Sequence, residues 1–491
     1  MKILTPEQTR ILDASTIAAE NIRSFDLMKR AATAFVTCFT EYVKTPVRVL
    51  AIAGPGNNGG DALAVAQILS EMKGFAVKVL LCGEKGRLSA DCAENLRLVE
   101  TSANIELLDF KAFSEALPDT DVIIDGLFGS GLNRRLEEQY KLLIDKVNAS
   151  NRPIYSIDIP SGLYADKLND TDDTIIKATV TVTFDSPKLS FFMAENEAYT
   201  GVIRIMDIGL NEQVKLELST PFFATEPSDI HRIKRTKFSH KGTYGHVLVV
   251  GGKKGMAGAV CMASKAALRS GCGLLTIASA EDNRWIAQCI VPEAMFLDVE
   301  GTISADIGKY NSLLIGPGMG TSQVAFQHLE QLLEAIGQTG KSCVLDADAL
   351  NMLAFHQRLD LIPQQAVITP HPKEFERLFG KTNNSYEQLQ LAFRKAVEHK
   401  CVIVLKGAHT RVIMPDGRCY FNMTGNAALA KGGSGDILGG MIASYLAQGY
   451  GCEQAALNGV YFHGLAADQL VKKMNMEAVL PTDIIEELKY I

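Results

Sequence analysis

Apolar residues in this chain come in short runs that end in Gly, Pro or Asp and alternate with stretches of helical period. An amphipathic segment predicts one opening helix over Pro6–Tyr42, followed by strands at Val47–Ala53, Ala76–Cys82, Asp121–Asp125, Ile154–Ile159, Thr179–Phe184 and Val202–Met206. Such runs describe strands buried on both faces of a parallel sheet covered by helices, with ligands beyond the strand C-termini. Gly209–Lys237 breaks the rhythm with Pro221, Pro227 and the basic cluster His231, Arg232, Lys234, Arg235 and Lys237; it reads as an interdomain connection with solvated charges. Strands are predicted again at Val247–Val250, Leu274–Ala278, Leu313–Ile315, Cys343–Asp346, Ala366–Thr369 and Val402–Leu405. A hairpin, Arg411–Met414 with Arg418–Phe421, turns at Pro415-Asp416-Gly417. The chain carries no repeat of 20 to 50 residues. The expected class is α/β, as two three-layer α/β domains.

Length and charge bound this picture. At roughly 150 residues per domain, 491 residues are about three domains or two large ones; the order of the motifs below gives two, 1–215 and 225–491. Against 49 basic residues stand 56 acidic ones, a net charge of −7, so the field of the chain repels nucleic acid and anionic membrane surfaces. The 10 cysteines are scattered without a C-x-x-C pair, and Glu7, Arg10 and Asp13 stand where a signal peptide needs an apolar run, so a reducing cytoplasm is expected. The longest uncharged apolar stretch, Ile437–Cys452, includes Gln448 and is too short for a membrane span.

Candidate chemistry in the first half sits at strand ends. Gly54-Pro55-Gly56-Asn57-Asn58-Gly59-Gly60-Asp61 contains G-x-G-x-x-G, whose amides suit a diphosphate at a helix N-terminus, and Glu84 stands where a Rossmann protein places a ribose-binding carboxylate. Asn57, Asn58 and Asp61 crowd that turn with oxygens better suited to a cation or to ribose hydroxyls than to a hydride-transfer fingerprint. Asp125 before Gly126, and Asp158 in Asp158-Ile159-Pro160-Ser161-Gly162, either ring a hard cation with Asn58 and Ser161 or simply cap turns. Lys188, past a later strand, is a candidate proton donor near Asp158, or a plain surface lysine.

In the second half, Gly432-Gly433-Ser434-Gly435-Asp436 precedes a helical run. Successive glycine amides there can stabilise a transferring phosphoryl while Asp436 takes a hydroxyl proton; an N-cap role for Asp436 leaves the glycines unexplained. Thr369–Phe375, Lys406–Thr410, Gly251–Ala259 and Gly316–Gly320 also follow strands, so all four reach one rim. Each alone suits a tight turn.

Taken together, G-P-G-N-N-G-G-D at Gly54–Asp61, D-G-L-F-G-S-G-L at Asp125–Leu132 and D-I-P-S-G at Asp158–Gly162 resemble the NAD(P)HX epimerase domain of the bifunctional NAD(P)H-hydrate repair enzymes, which is Rossmann-like. H-K-G-x-x-G-H at His240–His246, T-P-H-P-x-E at Thr369–Glu374, L-K-G at Leu405–Gly407 and G-G-x-G-D at Gly432–Asp436 resemble the ribokinase-like, ADP-dependent dehydratase domain of the same family. The resemblance implies hydrate binding at Asn58, Gly59, Gly60, Asp61 and Ala62, at Gly129, Ser130, Gly131, Leu132, Asn133, Arg134 and Arg135, and at Asp158. It implies K+ at Asn58, Asp125 and Ser161. In the second domain it implies hydrate contacts at Ala259, Gly320, His371 and Asp436, and adenine-nucleotide contacts at Lys406, Gly407, Ala408, His409, Thr410 and Gly435, with ADP as co-substrate and Mg2+. Ala62 and His409 replace glycines usual in the family.

The implied reaction is repair of NADHX and NADPHX: epimerisation of the R and S hydrates, with Asp158 and Lys188 moving protons, and dehydration of the S hydrate with release of AMP and phosphate, with Asp436 as base. A homo-oligomer is expected, with no nucleic-acid or membrane partner. Rival readings are a ribokinase-like small-molecule kinase fused to a nucleotide-binding domain, a NAD-dependent oxidoreductase and a non-catalytic nucleotide sensor.

Overall fold

The computed structural model describes residues 1–110, 117–299 and 304–491. Contacts divide the chain into two compact units, Lys2–Thr220 and Pro221–Ile491, with Met1 grouped with the second.

The first unit is built on seven parallel strands: β1 (Val47–Ala53), β2 (Phe75–Leu81), β3 (Ile105–Asp109), β4 (Val122–Gly126), β5 (Ile154–Ile157), β6 (Val180–Phe184) and β7 (Val202–Met206). Their order, β3-β2-β1-β4-β5-β6-β7, reverses direction between β1 and β4, and the crevice beyond the strand ends at such a switch point is where doubly wound folds bind ligands. Alternation on β1 shows why both faces are covered. Val49, Ala51 and Ala53 pack into one apolar core while Leu50 and Ile52 pack into another. The opening helix is two helices, Pro6–Glu20 and Ser24–Tyr42, because Asn21 takes a left-handed conformation at φ 53° that ends the first. Edge strand β3, half-exposed, was not marked by any apolar run.

The second unit holds ten strands: β8 (Phe222–Ala224), β9 (His246–Val250), β10 (Leu274–Ser279), β11 (Met295–Asp298), β12 (Ser312–Ile315), β13 (Ser342–Leu345), β14 (Val367–Ile368), β15 (Val402–Leu405), β16 (Arg411–Ile413) and β17 (Cys419–Phe421). Their order is β11-β10-β9-β12-β13-β14-β15-β16-β17-β8, parallel except for β16. Helices Ala257–Arg269, Ser434–Ala447 and Cys452–Leu470 bury one face against Val247, Val249 and Leu314.

Gly209–Lys237, which spans the boundary between the two units, is structured rather than a plain connection. The stretch holds a helix, Glu212–Glu217, and strand β8, which completes the second sheet against β17. Its basic cluster His231, Arg232, Lys234, Arg235 and Lys237 is exposed, and two of its arginines lie over rings, Arg232 over Phe462 at 4.3 Å and Arg235 over Tyr244 at 3.9 Å. No helix among the described residues is long and apolar enough to cross a membrane.

Candidate functional sites

A cleft of about 570 Å³ opens beyond the C-terminal ends of β1, β4, β5 and β6, within the range of small-molecule sites. Two glycines of the loop after β1, beside the cleft, owe their identity to backbone packing rather than to a ligand. A Cβ on Gly54 would sit 1.8 Å from the Leu127 carbonyl oxygen, and one on Gly59 would sit 1.8 Å from that of Gly54. The first loop and the turn after β4 therefore lock together and set the mouth of the cleft.

Asn58, Asp61, Asp158, Lys188 and every residue from Gly129 to Arg134 line it. Gly59, Gly60 and Ala62 do not: the helix starts at Asn57, earlier than its apolar pattern indicated, and all three are buried in its first turns. Arg135 is not in the lining either; its guanidinium forks onto Asp170 and Asp172 at 2.5–3.2 Å. Glu84 is also outside, exposed beside Arg87 at 3.4 Å.

Asp125 and Ser161 are fully buried. Asp125 accepts from Ser156 Oγ at 2.8 Å, Ser161 Oγ at 2.5 Å and the Ser161 amide at 2.9 Å. Burial pushes its carboxyl up, against those hydrogen bonds. Asn58, also buried, leaves its Nδ2 without a partner.

Asp158 takes a left-handed φ of 65°, which turns its carboxylate onto buried Lys188 at 2.8 Å. Burial works against its charge, but Lys188 and hydrogen bonds from Ser130 and Thr183 outweigh it and hold Asp158 below its usual range. Burial, with Asp158 and Asp13 close by, pushes Asp61 well above its usual value. Asp13 and Arg10 of the opening helix also line the cleft, and no motif pointed to them. The available signal was their spacing on one helical face.

In the second unit the loops after β9, β12, β13, β14 and β15 converge on one rim. The Lys253 amide donates to Gly318 at 2.7 Å, and the Lys406 amide to Pro370 at 3.0 Å. Ala259 lies against the Gly318 turn, and the Gly320 amide donates to Asp348 Oδ2 at 2.7 Å. His371 caps the helix Pro372–Phe379 through Nδ1. Burial, then Lys406, pushes that imidazole below its usual value, so it is neutral near pH 7. Gly407–Thr410 forms a turn closed by Thr410 Oγ1 on the Gly407 carbonyl at 3.1 Å, with Ala408 exposed at its tip. His409 Nδ1 reaches the Asn422 carbonyl at 3.2 Å.

The charge centre of this rim is Lys406, paired with buried Asp346 at 2.8 Å and 3.9 Å from Glu374. Burial opposes the Lys406 charge, yet Asp346 and Glu374 outweigh it and raise its pKa. Asp436 stands in the first turn of Ser434–Ala447; a Cβ on its neighbour Gly435 would lie 3.3 Å from Lys406 Nζ. Burial first, then Asp346 and Asp348, push Asp436 up to about 7 against the pull of Lys406. A carboxylate poised there can take a hydroxyl proton at neutral pH. Sequence reasoning missed Asp346 and Asp348, whose D-A-D spacing just after β13 was the available signal, and His463, whose Nε2 meets Ser434 Oγ at 3.2 Å. By contrast, His240–His246 runs into the start of β9, at the N-terminal end of that strand and opposite these loops, where His246 Nε2 meets Thr276 Oγ1 at 2.8 Å.

Comparisons with known proteins match both units. A family profile described as NAD(P)H-hydrate dehydratase covers residues 247–490, and one described as the N-terminus of YjeF-related proteins covers residues 24–190. A Coxiella burnetii protein named bifunctional NAD(P)H-hydrate repair enzyme Nnr is 34% identical, over 98% of this chain and 98% of its own. One of the same name from Vibrio cholerae is 33% identical, over 99% of this chain and 97% of its own. Among solved structures, a ribokinase-like superfamily protein from Enterococcus faecalis is 30% identical, covering 56% of this chain and 96% of its own, with a TM-score of 0.51.

Proposed function

The chain belongs to the family of bifunctional NAD(P)H-hydrate repair enzymes, and on that premise we propose how its residues divide the work. Its function is metabolite repair of hydrated NADH and NADPH by epimerisation and dehydration. We assign interconversion of the R and S hydrates to the cleft of Lys2–Thr220, and ADP-dependent dehydration of the S hydrate to the rim of Pro221–Ile491.

One observation carries the dehydratase assignment: Asp436, raised to about 7, starts a helix behind a glycine turn and beside the Lys406–Asp346 pair. The hydrate hydroxyl gives its proton to Asp436 as its oxygen attacks the terminal phosphorus of ADP, and AMP leaves. The Ser434–Asp436 amides and Lys406 draw off the charge that builds on the phosphoryl oxygens. Phosphate then departs with the C–O electron pair, the neighbouring C–H proton is lost, and the ring double bond returns. Neutral His371, with Ala259 and Gly320, shapes the hydrate side of the pocket; Lys406–Thr410 and Gly435 hold the nucleotide.

In the first unit, Asn58, Asp61, Gly129–Arg134 and Asp158 bind the hydrate, and the Asp158–Lys188 pair handles its protons. We assign K+ to Asn58, Asp125 and Ser161. The partnerless, buried Asn58 amide supports this: its oxygen and nitrogen are nearly alike in shape, so the oxygen can face a cation. K+ there supplies positive charge that offsets buried Asp125. Asp348 and Asp436 would meet Mg2+ carried on the nucleotide, which neutralises phosphate charge. We also propose a homo-oligomer working in a reducing cytoplasm, a setting that suits its free cysteines.

The test is the return of dihydronicotinamide absorbance when full-length protein meets S hydrate with ADP. Recovery with release of AMP and phosphate is expected; a stable phosphorylated product instead would favour a small-molecule kinase and overturn the dehydratase assignment.

A further inference from the structure

The helix Pro6–Glu20 lies outside every motif above and ahead of residue 24, where the N-terminal family profile begins. Yet Pro6, Thr9, Arg10, Asp13 and Ile17 all line the cleft, and they recur at the spacing of one helical face. A wall of the cleft is therefore this helix, and Asp13 is its only carboxylate there, in a cavity that also exposes Asp158 and Lys188. Arg10, one turn before Asp13 on the same face, borders Gly131 and has no ion pair among the described residues.

We propose that Asp13 is a catalytic residue of epimerisation that exchanges a proton with the hydrate hydroxyl, working as a pair with Asp158. The inference rests on the epimerase assignment above. Water added across an enamine double bond leaves its oxygen on the carbon next to nitrogen, so the two epimers differ at a carbinolamine carbon. To invert it, protonated Asp13 gives its proton to the hydroxyl on one face. The C–O bond breaks, water leaves with the electron pair, and the ring nitrogen lone pair closes a C=N+ bond. A second water then adds from the other face, the C=N+ pair returns to nitrogen, and Asp158 takes the proton that this water sheds. In the reverse direction the two carboxyls exchange roles. Nothing is oxidised or reduced: the Asp13–Asp158 pair carries one proton before and after each inversion and none while the C=N+ species lasts, when that proton is in the departed water.

Electrostatics agree with that division. Burial first, then the charge of Asp158, pushes Asp13 up to about 6 against the pull of Lys188, while Lys188 keeps Asp158 ionised. The other groups facing Asp13 are Arg10 on its own helix, Asp61 from the helix Asn57–Glu71, Asp91 from the helix Ala90–Thr101, Arg134 after β4, and Asp185 after β6. Because the pair must hold one proton, kcat/KM in both directions falls as pH rises above about 6.

The experiment uses full-length wild type, Asp13→Asn and Asp13→Glu with separated epimers, following interconversion by chromatography without ADP and subtracting the enzyme-free rate. The Asn variant is expected to lose about 10²- to 10³-fold in kcat with little change in KM and to lose the fall above pH 6, while Glu restores part of the rate. The Asn variant melts no lower than wild type, and its ADP-dependent dehydration of the S hydrate stays at the wild-type value. An Asn variant with wild-type kcat and pH profile, or Glu no better than Asn, overturns the role of Asp13. A wild type that fails to interconvert the epimers overturns the epimerase assignment instead.

Discussion

The cleft of the first unit and the rim of the second use the same electrostatic arrangement with the motif residue in opposite positions. Each sets one lysine against one carboxylate, buried Lys188 on Asp158 and half-buried Lys406 on Asp346, both at 2.8 Å. Each leaves another acid without that partner, Asp13 at about 6 and Asp436 at about 7. In the first unit the motif residue is the paired, ionised carboxylate; in the second it is the unpaired one. A lysine's choice of partner thus decides which carboxyl holds its charge and which titrates near neutrality.

The strongest challenge to this comparison is Asp436→Asn. Dehydration should fall by about 10²- to 10⁴-fold, the span of a lost general base, with epimer interconversion untouched; equal loss of both activities would mean the two sites do not act separately. The same variant tests the sign of the pKa shift. A carboxyl whose folded value is raised contributes full stability below its unfolded value near 3.8 and loses it as pH rises through about 7. The Asn variant should therefore melt higher than wild type at pH 8 and lose that advantage at acid pH.

Next in size is Lys406→Met. Stripping a buried carboxylate of its partner costs about 3–5 kcal/mol, read as a lower melting temperature. Because Lys406 holds Asp436 down, the variant's remaining dehydration should shift its pH dependence upward. In wild type, dehydration kcat/KM should rise with pH through about 7, since Asp436 acts as a base only when ionised. A flat profile between pH 6 and 8 would show that Asp436 does not set the rate.

The smallest expected effect separates two adjacent arginines of the loop after β4. Arg135→Ala should leave the melting temperature nearly unchanged, as its pairs with Asp170 and Asp172 are solvent-exposed. It should also leave epimerisation near wild type, whereas Arg134→Ala should raise KM for the hydrate.

Much of the fold was legible because strands buried on both faces announce themselves as apolar runs, and β1 and β15 fall at their predicted limits. Edge strands β3 and β11 were not, since half-exposed strands carry mixed residues and their pairing is decided by a neighbour distant in sequence. Strand β8 was hidden for the same reason, as it exists only by pairing with β17, almost 200 residues on. The break at Asn21 escaped notice because helical amphipathicity continues on both sides of it.

By itself the sequence determined the parallel-sheet alternation, the glycine turns and the motif carboxylates Asp125, Asp158 and Asp436, because each is written in contiguous residues with local geometric demands. The tertiary structure alone decided that Lys406 pairs with Asp346 and leaves Asp436 unpaired, that Arg135 is spent on Asp170 and Asp172, and that the opening helix contributes Asp13 to the cleft. Those outcomes are sums of burial and charge over groups from separate strands and helices, and such sums exist only once the chain has folded.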